Sequence, residues 1–289
     1  MGGNAIKTSR PVTFDEAQET VKWLKENVLR HLLIREQDIE LLGSYGKKKD
    51  GEIYGDIDIA VLLKPDPNSF PKNTELNMLQ HQLETLGFDS AINYGFRIVS
   101  FGCPIAGNHE MGIVQVDFMI THNLEWSEFI YHSPDFRKGE SEYKGFYRNI
   151  LLMAIITESK KEIIKFTDIG GIEEIEVNIL KFPWGVWRVR KNFMGKKGKL
   201  VKGGTNLNGS EYFVTDQPME ILDLTVGSQF IPSDIDTFEK LWHIVMSPNF
   251  KWINKRADII NRFIECIEEQ NLPLPNEVLK KCDIKNSNL

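Results

Sequence analysis

The chain has 289 residues, 41% hydrophobic and 26% charged, with a net charge of −6. That composition is ordinary for a globular protein, has room for one large domain or two small ones, and argues mildly against a dedicated nucleic-acid binder. No apolar run reaches the length of about 18 residues that a membrane span requires, so no membrane partner is expected.

In chain order, residues 1–7 lack the apolar stretch of a secretory leader, and Ile6 stands where a myristoylation signal needs Ser or Thr. Phe14 to Leu33 has helical spacing, with Val21, Leu24, Val28 and Leu32 on one face, and Thr13 with Glu16 forms a capping-box pattern. Asp38 to Leu42 reads as a strand ending at Gly43-Ser44. A short helix starting near Ser44 would aim backbone N–H groups forward in a phosphate-binding geometry, with Lys47, Lys48 and Lys49 adding positive charge and Asp50 and Glu52 opposing it. Gly55 to Leu63 is the next strand, and Pro65-Asp66-Pro67-Asn68 opens a loop after it. Thr74 to Leu86 is a helix stopped by Gly87. Ile92 to Phe101 and Gly112 to Thr121 read as strands joined through a turn at Cys103 to Met111.

Beyond residue 125 the pattern changes. Tyr143 to Ser159 reads as an amphipathic helix; Ile175 to Ile179, Gly185 to Arg190 and Glu211 to Val214 read as strands, with turn signals at Gly195-Lys196-Lys197-Gly198 and Asn208-Gly209. Pro218 to Val226, Ser233 to Met246 and Trp252 to Gln270 read as helices. Between Lys181 and Lys202 lie eight basic residues and no acidic one, leaving about −14 for the rest of the chain. Two readings fit that run: a nucleic-acid surface built on Arg188, Arg190, Lys191, Lys196, Lys197 and Lys199 with Trp184 and Trp187 interleaved, or a solvated hairpin whose tryptophans face the core.

The chemistry concentrates at Asp56-Ile57-Asp58, which apolar residues follow. In a strand, positions i and i+2 share a face, so two carboxylates stand side by side on a largely buried sheet. Repulsion and burial both penalise that arrangement, and a hard divalent cation, magnesium or manganese, relieves it. Asp117, the single charge in Ile113 to Ile120, would join the pair from a neighbouring strand; an acid facing water at a sheet edge is the alternative. Arg97 fits either a phosphate contact or a structural ion pair. The six histidines show no ligand spacing. Cys103, Cys266 and Cys282 lie far apart, which suits free thiols, a reducing compartment and hence the cytoplasm.

Gly43-Ser44, Asp56-x-Asp58 and Asp117 in this order resemble the signature of the polymerase-beta-type nucleotidyltransferase superfamily, and the spacing is similar to that of phage nucleotidyltransferases. The resemblance spans roughly residues 14 to 121. It implies an α+β fold, with a mixed sheet flanked by helices in a catalytic domain over 1–125. The residues over 126–289, which the resemblance does not reach, read as a mainly helical region with a basic hairpin that would form the acceptor site. The resemblance implies an enzyme that moves a nucleoside monophosphate from a bound triphosphate, ATP or another, to an acceptor hydroxyl with release of pyrophosphate. Asp56, Asp58 and Asp117 would hold two magnesium or manganese ions, and Gly43, Ser44 and Lys47 would contact the triphosphate. Lys144 and Arg148 would reach it too, as basic residues there do in related enzymes, or lie on a solvated helix face, which their own pattern favours. The acceptor would be an RNA or DNA end; a protein side chain, a small molecule, or nucleotide binding without turnover are the alternatives.

Overall fold

The computed structural model describes residues 5–63, 73–166, 172–194, 200–207 and 210–280. Lys196, Lys197, Lys199 and the Asn208-Gly209 turn signal lie outside the described residues. Two compact units emerge: residues 1–142 with Phe182–Trp184, and residues 143–181 with 185–289. The change of unit falls after Glu142, so the helix following the third acidic strand joins the first unit and not, as the division at 125 has it, the second.

The first unit opens with α1 (Phe14–Leu24), whose Thr13 and Glu16 form the expected reciprocal cap. A wider π-helical segment, Lys25–Leu29, continues it. A five-stranded sheet has the order β1-β2-β5-β4-β3, from β1 (Ile39–Leu41), β2 (Asp56–Leu62), β3 (Ser90–Asn93), β4 (Ile98–Pro104) and β5 (Ile113–Thr121). β2 and β5 pair in parallel, and the other pairs are antiparallel. The expected single strand over Ile92 to Phe101 is two strands, because the chain turns at Tyr94–Arg97, where Arg97 takes a left-handed φ of 54°.

Strand periodicity decides what each sheet face carries. Ile57, Ile59 and Val61 of β2, Val114, Val116, Phe118 and Ile120 of β5, and Val99 and Phe101 of β4 are buried in one cluster with Ala17, Val21 and Leu24 of α1. Leu76, Leu79 and Leu83 of α2 (Thr74–Thr85) complete it. Their neighbours in sequence, Asp58, Ala60, Asp117 and Met119, face the opposite side. There Ala60 and Met119 pack with Leu42, under Leu124 and Tyr131 at the two ends of α3 (Leu124–Ile130). The acids occupy the stretch of that face before this small cluster.

The second unit is built on α4 (Gly145–Ser159). Its sequence reads as amphipathic, yet eleven of its residues are buried, including Arg148, Asn149 and Glu158. It packs on the strand Ile172–Lys181, α6 (Phe238–Met246) and α7 (Arg256–Glu269), so it is an internal helix that several layers cover. β6 (Glu162–Phe166), β7 (Ile172–Lys181), β8 (Gly185–Met194), β9 (Leu200–Asn206) and β10 (Tyr212–Thr215) form a second, antiparallel sheet. Three of these strands, β7, β8 and β10, match expected ones, and β6 and β9 extend the sheet beyond them; α5 (Pro218–Thr225) follows it. Among the described residues, no helix is long and apolar enough to cross a membrane.

Candidate active site

Asp56 and Asp58 emerge from β2, and the parallel register places Asp58 opposite Asp117 and Asp56 opposite Gln115. One carboxylate oxygen from each of Asp56, Asp58 and Asp117 lies within 4.8 Å of the other two. Register alone brings together side chains about sixty residues apart in sequence, because a parallel pair holds equivalent positions level.

The electrostatics of this trio are those of an unbalanced cluster. Burial, then the charges of Asp56 and Asp117, pushes the Asp58 carboxyl up to about 7 from its ordinary 3.8. Asp117, 8% exposed, is also raised, chiefly by burial, against hydrogen bonds from Ser100 and Gln115 that favour its charged form. A cation would reverse these penalties. The donors are hard carboxylate oxygens with no sulfur or imidazole among them, which fits magnesium or manganese.

Gly43 stands directly against the cluster. Its φ is 62°, and a Cβ built there would lie 2.5 Å from Asp58 Oδ2. Leu42 N–H donates to the Asp58 carbonyl at 2.9 Å, and Gly43 bridges His132 in parallel, so the backbone is held at this approach from both sides. Only a residue without a side chain fits. The expected helix after Gly43 is a single turn instead: Lys47 N–H donates to the Ser44 carbonyl at 2.9 Å, and Phe136 N–H donates to the Lys47 carbonyl at 2.9 Å. Any anion contact at Ser44 and Lys47 therefore comes from turn amides and side chains, without a helix dipole behind them.

Two residues expected at the triphosphate belong to the second unit. Lys144 precedes α4 in the second unit. Arg148, expected at the triphosphate, is 1% exposed; its Nε donates to the Ile235 carbonyl at 2.9 Å and Nη1 to Asn149 at 2.9 Å. It is a buried structural residue of the second unit, and desolvation lowers its pKa to about 10. Arg97 resolves as an ion pair: it is 3% exposed, lies 2.7 Å from Glu75 and stacks 4.6 Å from the Trp184 ring. Trp184 also stacks on His122, and Trp187 is 6% exposed against Phe213, so the tryptophans of the basic run serve packing. The run itself divides across the sheet. Arg188 and Arg190 share one β8 face and both approach Glu176, at 3.6 and 3.9 Å. Lys191 alternates to the other face, pairs in register with Ile175, and has its pKa lowered by burial and by Arg262.

Three neighbours of the acids carried no motif. Gln115 donates from Nε2 to Asp117 Oδ1 at 2.8 Å. Ser100, level with Asp117 on β4, also donates to it. The Tyr131 phenol has its pKa raised by burial and by the Asp58 charge. The signal for Gln115 was its i−2 position to Asp117 in a strand, which shares the acid's face.

No family model and no curated protein sequence matches the chain. Solved structures do. One is polymerase beta of Leishmania infantum in a ternary complex, with 14% identity over 74% of this chain and 73% of that one and a TM-score of 0.36. Another is Cid1, described by its RNA terminal uridylyl transferase activity, with 18% identity over 52% of this chain and 41% of that one and a TM-score of 0.28. A third is the Cid1 poly(U) polymerase bound to MgATP, with 14% identity, 56% and 59% coverage and a TM-score of 0.28. The chain spans less than two thirds of the Cid1 chains it matches.

Proposed function

We propose that this protein is a metal-dependent nucleotidyltransferase that moves a nucleoside monophosphate from a nucleoside triphosphate to an acceptor hydroxyl. The observation that carries this reading is the register of Asp58 against Asp117, with Asp56 alongside and the three carboxylates within 4.8 Å. Asp56, Asp58 and Asp117 would hold two magnesium or manganese ions. Bound there, the metal neutralises phosphate charge and acidifies the acceptor hydroxyl.

The chain's own groups have distinct tasks. Gly43 and Ser44, with Lys47, receive the outer phosphates beside the acids. Asp117, held by Gln115 and Ser100, orients the acceptor hydroxyl and takes its proton. The acceptor oxygen bonds to the α-phosphorus, the bridging bond to the β-phosphate oxygen breaks in line, and pyrophosphate leaves with that electron pair.

The acceptor we favour is a nucleic acid end, supported by the eight cations from Lys181 to Lys202. A small hydroxyl compound is the second reading, favoured by one observation: Glu176 lies close to both Arg188 and Arg190 and offsets much of their charge. The experiment is transfer of label from α-labelled triphosphates to single-stranded RNA and DNA oligonucleotides and to small polyols. Replacing Lys196, Lys197 and Lys199 by Gln should weaken oligonucleotide labelling and flatten its salt dependence. Labelled oligonucleotide formed equally well by that variant at every salt concentration would overturn the nucleic-acid reading.

A further inference from the structure

The N-terminal segment runs alongside the first residues of β5. Ser9 bridges Ile113 in parallel, and Arg10 N–H donates to the Ile113 carbonyl at 2.8 Å. Ile6 is 2% exposed, so the segment is anchored and not merely laid on the surface. Just before it, the backbone N–H groups of Ala5 and Ile6 both donate to Gln115 Oε1, at 2.9 and 3.1 Å. The other end of the same amide donates to Asp117 Oδ1 at 2.8 Å.

A side-chain amide has one accepting end and one donating end. Two N–H donors converge on Oε1, so the Nε2 end must point away from them, at Asp117. The flipped amide would set N–H against N–H and oxygen against carboxylate. Gln115 itself is 3% exposed and has little room for another rotamer.

We infer that Gln115, locked by the backbone of Ala5 and Ile6, is a positioning residue that fixes the Asp117 carboxylate for metal binding, making the N-terminal segment a working part of the site. The inference rests on the metal-site reading above. Partners that orient a metal ligand typically contribute about 10- to 100-fold to metal affinity or activity. Gln115→Leu keeps the approximate volume and removes both ends of the amide. Ala5→Pro, at an exposed position, removes one of the two N–H donors without touching β5.

The test is manganese binding to the full-length protein followed by electron paramagnetic resonance, with no triphosphate present. Gln115→Leu should weaken manganese by about 10- to 100-fold, and Ala5→Pro should weaken it several-fold in the same direction. Leu83→Ala, in the core far from the acids in sequence, lowers the melting temperature and should leave manganese affinity at the wild-type value. Wild-type affinity in Gln115→Leu, or a loss no larger than that of Leu83→Ala, would overturn the proposal; wild-type affinity in Ala5→Pro would overturn the role of the segment. Asp117→Asn separates the two levels. If it loses manganese while Gln115→Leu keeps it, the relay fails and the metal site stands; if Asp117→Asn binds as wild type, the metal-site reading itself fails.

Discussion

Gly43→Ala is the sharpest perturbation available. The new methyl would start 2.5 Å from Asp58 Oδ2, about 1 Å inside an ordinary contact, so the carboxylate or the turn must move by roughly that amount. The φ of 62° adds a conformational cost of about 1–2 kcal/mol for a residue with a Cβ. Gly46 supplies the matched control. Its φ is 68°, but a Cβ there would meet only the Phe14 ring, at 3.8 Å. Both alanine variants should therefore lose similar stability, a few degrees in melting temperature. Only Gly43→Ala displaces a carboxylate of the proposed metal site, and a misplacement of about 1 Å costs on the order of 100-fold in rate. The assay is single-turnover transfer from an α-labelled triphosphate at saturating magnesium, read beside thermal melts. Equal transfer rates in the two variants would refute the claim that Gly43 is required by its approach to Asp58.

Three further outcomes are expected. Asp58 carries a native pKa raised from 3.8 to about 7, so across that window the metal-free native state retains a proton the unfolded chain has lost. Its contribution to stability therefore falls as pH rises from about 4 to about 7, and urea denaturation of wild type and Asp58→Asn in EDTA should show this as a difference that widens with pH; a constant difference contradicts it. By the same logic Asp58→Asn should raise the metal-free melting temperature while abolishing the extra stability that magnesium should confer on wild type, a pair of effects read in one thermal series. Glu16 behaves oppositely: the Arg10 side chain and the Thr13 backbone hold its pKa at about 2, below 4.5, so its stabilisation is present above pH 4.5 and lost as pH falls towards 2. Glu16→Ala should cost about 1 kcal/mol at neutral pH by opening the reciprocal cap, and an unchanged urea midpoint contradicts that role.

Much of the first unit was legible because strand alternation separates its faces cleanly. Ile57, Ile59 and Val61 point to the helices, which leaves Asp56 and Asp58 nowhere but the open side, and the apolar context of Asp117 marked a matching strand. What failed was set by non-local contact. The alternation from Ile92 to Phe101 runs straight through a turn, since nothing local announces the left-handed Arg97 that Glu75 and Trp184 hold. Arg148 reads as a cation on a helix face; only the packing of α4 on three sides converts it into a buried donor to Ile235. β6 is short and charged at both its start and its fourth position, so it becomes a strand through pairing with β7 rather than through its own pattern. The role of Gln115 was only half legible, in its i−2 position to Asp117, for a different reason. A glutamine in an apolar strand has no motif, and its role depends on Ala5 and Ile6, about 110 residues earlier, reaching the same amide.

The most direct test of the account compares wild type with Asp58→Ala for magnesium-dependent release of pyrophosphate and transfer of α-phosphate label, both variants first shown to be folded. Wild type should give stoichiometric label and pyrophosphate, and removing the carboxylate should lose both by several orders of magnitude. Label transfer that persists undiminished in Asp58→Ala, or that proceeds equally in EDTA, would contradict it.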